Sequence, residues 1–107
     1  PYLDEAAQNI RFWANKYKTK FNEDPTVFSV YGYNALDAYL RAVEKAGANL
    51  TTESFIKAMD TMKIPSDMFG SAEMTFSPTK RLGSNISRMS QIQDGRWKVV
   101  SDYPKAK

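Results

Sequence analysis

Apolar residues recur at helical spacing in three stretches of this chain. Ile10, Trp13, Tyr17 and Phe21 stand three and four apart, which puts them on one face of a helix predicted over 6–21. Asp4 and Glu5 precede its positive end, and Lys16, Lys18 and Lys20 fall towards its negative end, as the helix dipole favours. Pro25 biases Asp24 away from helical geometry and closes this element. Leu36, Tyr39, Leu40, Val43 and Ala46 keep the same period over 33–46, and Gly47 is placed to end that helix in a left-handed conformation. Thr51 is suited to cap a third helix over 52–62. Its apolar stripe is Phe55, Ile56, Met59 and Met62, and Pro65 is its stop signal.

Elsewhere the pattern is that of strands. Residues 26–31 are β-branched and aromatic and read as a strand, with Gly32 as a tight joint to the helix that follows. Residues 70–76 read as a short strand ending at Ser77 and Pro78, and 79–85 as a polar, basic loop. Residues 86–93 and 96–101 read as two strands around Asp94-Gly95, a pair suited to a type I′ hairpin turn. The class is therefore α/β. A strand feeding a helix is the unit of open α/β sheets, whose ligands sit beyond the strand ends. One such unit with a trailing hairpin makes a poor sheet by itself. The expectation is a segment of a larger protein, helical over about 1–65, β-rich over 66–103, with a tail over 104–107.

Composition narrows the chemistry. At 107 residues, 42% apolar and 25% charged, the chain has the make-up of one ordinary globular unit. Its net charge of +3 is interleaved with acids rather than gathered into a stripe, so nucleic acid is not the expected partner. The competing reading is a basic module that binds nucleic acid or protein through the lysines and aromatics of the first helix. Absence of cysteine excludes disulfides and thiolate metal sites. Absence of histidine as well removes the commonest general base along with the strongest nucleophile. With no phosphate loop and no metal-ligand spacing, neither an enzyme, a cofactor nor a metal is expected.

Four features, in order, carry a family resemblance. Phe12, Tyr17 and Phe21 lead into Asp24-Pro25; Tyr31-Gly32-Tyr33-Asn34-Ala35 opens a helix that ends at Ala46-Gly47. Phe69-Gly70 then precedes Phe76-Ser77-Pro78, and Gln91-Ile92-Gln93-Asp94-Gly95-Arg96-Trp97 forms the closing hairpin. In these the chain resembles the C-terminal part of the type 1 periplasmic binding proteins, the substrate-binding proteins of branched-chain amino-acid ABC transporters. One departure is the loop after Pro78, which holds Lys80, Arg81 and Asn85 where many members place a histidine.

The resemblance implies a fragment of a two-lobed fold that binds a small molecule between its lobes and presents it to a membrane permease. The ligand would be an amino acid, an amide, or an aromatic or aliphatic carboxylate. The location would be the periplasm, or the outer side of the membrane as a lipoprotein; a sensory receptor of the same fold is the alternative. In this family an aromatic residue five positions before the helix-opening tyrosine lines the cleft, and counting back from Tyr33 gives Phe28. Tyr31 is the second candidate. The alternatives are a core position for Phe28 and a buried hydrogen bond for the Tyr31 hydroxyl. Asn34 and Asp37 are assigned to helix capping, and Trp13, Trp97 and the methionines to packing. Separated from its lobe, the chain is expected to self-associate or to pair with the missing part of its own chain.

Overall fold

The computed structural model describes residues 1–104. Three helices, α1 (Gln8–Phe21), α2 (Val27–Ala46) and α3 (Thr52–Met59), precede four short strands. These are β1 (Lys63–Ile64), β2 (Met74–Thr75), β3 (Ser90–Gln93) and β4 (Arg96–Val99). β1 pairs with β2 and β3 with β4, both antiparallel, as two separate two-stranded sheets. This is a small α/β structure. Of the tail expected over 104–107, residues 105–107 lie outside the described residues. Tyr103 is anchored, its hydroxyl donating to the Gly70 carbonyl at 2.7 Å.

The predicted strand over 26–31 is instead the first turns of α2, which runs through Gly32 without a break. Two local facts explain this correction. The Ser29 hydroxyl accepts the Thr26 N–H at 3.0 Å, a cap that starts a helix directly after Pro25. Val30, Asn34, Ala38 and Ala42 also form one four-residue stripe, and Val30 and Ala42 are buried. β-branched residues lower helix propensity by only about 0.7 kcal/mol each or less, and burying one continuous stripe outweighs that. Gly32 is therefore not a joint. It sits in a helix interior with open space where a Cβ would lie. Gly32→Ala is expected to stabilise the chain by about 0.5–1 kcal/mol in urea unfolding; a strand-to-helix joint would respond with a loss.

α3 begins as predicted. Thr51 Oγ1 accepts the Ser54 N–H at 3.0 Å and the Ser54 hydroxyl accepts the Thr51 N–H at 2.9 Å, a reciprocal capping box. The helix ends at Met59 rather than Met62. A turn in which the Met62 N–H donates to the Met59 carbonyl (3.1 Å) redirects the chain into β1. Gly47 ends α2 at φ 86° and ψ −168°. The positive φ is as expected, but this ψ lies outside the left-handed helical region, in a conformation essentially confined to glycine. The strand predicted over 70–76 is reduced to Met74–Thr75, with Ile64 opposite Met74.

The core sits between α2, α3 and the β1–β2 pair. Ala42, Met62 and Ile64 are buried there, with Ala38, Phe55, Met59, Met74 and Phe76 packed around them. Tyr39 packs against Phe55 with the rings tilted and their centroids 5.3 Å apart. The basic loop after Pro78 is tied to this core. Lys80 Nζ donates to the Thr75 carbonyl (2.9 Å), the Thr75 hydroxyl (2.7 Å) and the Gly83 carbonyl (2.9 Å).

A second grouping joins the two ends of the chain. Asp94 (φ 53°) and Gly95 (φ 75°) form the expected type I′ turn of the β3–β4 hairpin. The Arg96 guanidinium pairs with Asp4 and lies 4.4 Å from the Tyr2 ring centroid, while the Trp97 N–H donates to the Tyr2 hydroxyl at 2.9 Å. Trp97, assigned above to packing, is largely exposed. The hydrogen bond from Arg96 holds the Asp4 carboxyl below its usual range. The folded chain then binds that proton more weakly than the unfolded chain does. The tie is complete above the ordinary aspartate value and is lost as pH falls through the lowered one. Acidification below about pH 4 should release this Arg96–Asp4 tie between the hairpin and the segment before α1. Chemical-shift titration of the Trp97 amide would follow the release, and Asp4→Asn should abolish that titration step.

The molecule is flat, 19 Å thick against 47 and 39 Å in the other directions. Its radius of gyration is 16.2 Å, where a globule of this length has about 13 Å. Its accessible surface of 8243 Å² compares with about 6,100 Å² for a compact monomer of 12.2 kDa. Phe12, Phe28, Tyr31, Leu36, Leu40 and Ile92 are among the exposed large apolar side chains.

Candidate functional site

The capped start of α2 positions the two sequence-predicted site residues. Phe28 and Tyr31 are three apart in its first turns, so they rise side by side from one helix face. Their rings meet edge to face at 6.0 Å. Phe28 is 76% exposed and Tyr31 63%, so neither is a core residue, and the Tyr31 hydroxyl makes no hydrogen bond among the described residues. The structure thus brings the pair together and leaves it open. Its support is a helix, not the strand end that the sequence suggested. Such a corner offers two aromatic faces and one hydroxyl, which suits packing on an apolar or cationic group.

A larger concavity lies beside it, between α1 and α2. This groove has a volume of about 1130 Å³. Phe12, Trp13, Tyr17 and Phe21 form one wall, and Ser29, Gly32, Tyr33 and Leu36 the other, with Met68 also lining it. Trp13 and Tyr33, which line it, meet each other and Phe69 in edge-to-face contacts of 5.0–6.1 Å. Phe28 and Tyr31 lie on a neighbouring stripe of α2 and do not line it. Sequence reasoning missed this groove because it gave Trp13 to packing and Lys16 and Lys20 to the helix dipole. The available signal was the pair of adjacent stripes, residues 9, 13 and 17 and residues 8, 12, 16 and 20. Of the three lysines in this helix, only Lys18 is ion-paired among the described residues, with Asp24 at 2.8 Å.

Among the described residues no cluster of three or more metal-ligating side chains occurs, and no helix is long and apolar enough to cross a membrane. The family model described as periplasmic binding protein matches residues 1–96, and the chain belongs to that family, of the type 1, branched-chain amino-acid kind. It is a non-enzymatic family of solute-binding proteins, and membership implies small-molecule binding and an extracytoplasmic location. No curated protein and no solved structure matches the chain.

Proposed function

We propose that this chain is the C-terminal segment of the solute-binding component of an ABC importer, with Phe28 and Tyr31 on the wall of its ligand cleft. The observation that carries this reading is the exposure of both rings on a rigid, capped helix start, where no packing need of the chain accounts for them. The ligand is an amino acid, an amide, or an aromatic or aliphatic carboxylate, for which an aromatic wall supplies the apolar contact. In this reading two lobes close on the ligand. Closure spends part of the ligand's binding energy on a change of outer surface, which the membrane permease recognises. In this reading 1–65 is the helical part and 66–103 the β-rich closing part, held together by the β1–β2 pairing across their boundary. The protein works in the periplasm or as a lipoprotein on the outer side of the membrane.

The test is calorimetric titration of the intact protein that contains this chain, after thermal-shift screening against amino acids, amides and carboxylates. Phe28→Ala should weaken the ligand found by about tenfold to a hundredfold, the equivalent of one aromatic side chain's burial. Tyr31→Ala should weaken it less, and Phe12→Ala, in the neighbouring groove, should leave it unchanged. Undiminished affinity in Phe28→Ala would remove the cleft assignment.

A further inference from the structure

α1 is thinly held. Of its 14 residues, Ala14 alone is buried among the described residues. Its aromatic hold on the body is Trp13, edge to face with Tyr33 at 5.6 Å and with Phe69 at 5.0 Å. The segment before it folds back along the same helix. The Asn15 amide donates to the Leu3 carbonyl at 3.3 Å, and the Arg11 guanidinium to the Glu5 carbonyl at 3.1 Å. Residues 2–21 therefore form one piece, and what fixes Tyr2 and Asp4 also fixes α1.

We infer that the β3–β4 hairpin is a strap that holds this piece in place, with Tyr2 and Tyr103 as its two fasteners. The turn end is fastened by Arg96 on Asp4 and by the Trp97 N–H on the Tyr2 hydroxyl. The open end is fastened at Gly70. The Tyr103 hydroxyl donates to the Gly70 carbonyl, and the Arg88 guanidinium lies 4.9 Å from the Tyr103 ring centroid. That guanidinium also fills the place that a side chain at residue 70 would take. Gly70 follows Phe69, and Asp67 stiffens the loop that carries both. Its carboxylate accepts the Phe69 N–H at 2.9 Å and the Ser71 N–H at 3.2 Å. Among the described residues the hairpin strands pair only with each other. The contacts thus close a circuit, from Trp13 to Phe69, through Gly70 and Tyr103 to the hairpin, and back through Arg96 and Tyr2 to α1. Packed side chains and hydrogen bonds of this kind carry coupling between distant sites. The two tyrosines act in series, because parting either one leaves α1 to Trp13. The spacing of α1 from α2, and so the width of their groove, depends on a tyrosine far along the chain. None of this rests on the ligand role of Phe28.

Pulsed electron paramagnetic resonance on the intact protein that contains this chain tests the strap. Spin labels are carried on Lys16→Cys in α1 and Lys57→Cys in α3, both exposed positions. Tyr103→Ala should raise the ratio of displaced to docked α1 by about tenfold, through loss of one hydrogen bond and one cation–ring contact. Tyr2→Ala should do the same from the other end. Tyr103→Phe, which keeps the ring, should give about threefold. The double variant Tyr2→Ala/Tyr103→Ala should match either single one, whereas independent sites would multiply to about a hundredfold. A second label pair, Glu44→Cys in α2 with Lys57→Cys, should keep its distance in every variant, since the core lies outside the circuit. An α1 that stays docked in both single variants, effects that multiply, or a change in the second pair would each overturn the inference.

Discussion

Ile64→Ala is expected to lower the free energy of unfolding by about 2–5 kcal/mol. Ile64 is 6% exposed and, with Ala42 and Met62, stands at the centre of the core among the described residues. It stands opposite Met74 in the β1–β2 register, so its removal opens space beneath α2 and unseats the sheet at once. β1 has two residues and cannot shift to refill that space. A chain of this length holds only about 5–15 kcal/mol of net stability, so the loss approaches the whole. The control is its neighbour. Lys63→Ala removes an exposed partner of Glu73 at 3.6 Å and should change stability by less than about 1 kcal/mol. Urea unfolding followed by far-ultraviolet circular dichroism separates the two; equal midpoints would mean that the core is not where we place it.

Gly83→Ala is expected to destabilise by about 1–3 kcal/mol through overpacking. A Cβ there would lie 2.9 Å from the Phe76 ring and 3.1 Å from Met74 Sδ, both at the border of the core. The backbone has no room to retreat. The Gly83 carbonyl accepts hydrogen bonds from the Thr75 N–H at 3.0 Å and from Lys80 Nζ at 2.9 Å. Met74 can yield by a rotamer change, which places the effect towards the lower end. The slope of the urea dependence should be unchanged, since the same surface is exposed on unfolding. A neutral result would show that the loop after Pro78 is held less closely than its hydrogen bonds indicate.

Much of the fold was legible where local chemistry and burial agree. The stripe of Trp13, Tyr17 and Phe21 does stack along α1, with ring centroids 5.7 and 4.7 Å apart. Thr51 caps α3, and Asp94-Gly95 makes the hairpin. Legibility failed where a tertiary contact chose against local preference. Val27, Val30 and Tyr31 favour a strand by residue type, but the stripe from Val30 to Ala42 can be buried only if both belong to one helix. β1 was hidden because two residues before Pro65 carry no periodicity, and only Met74 and Thr75 opposite them create the strand. At the candidate site, Phe28 follows from the resemblance by counting back from Tyr33, with Tyr31 the second candidate, and the structure sets both on a helix rather than at a strand end. The groove's α1 wall is legible in two adjacent stripes of that helix, but its depth depends on how α1 and α2 diverge, which the stripes do not encode.

The contacts that join the chain's ends also set an order of events during synthesis. Asp4 and Tyr2 wait for Arg96 and Trp97, partners 92 and 95 residues further on. The core of α2, α3, β1 and β2 needs nothing beyond Phe76 and the loop at Gly83. As the polypeptide leaves the ribosome, that core can close first, by contacts of shorter range with a smaller entropic penalty for loop closure. α1, translated before that core, is then the last of these elements to have its amino end anchored. Until the hairpin emerges, its aromatic stripe stays exposed to whatever meets it.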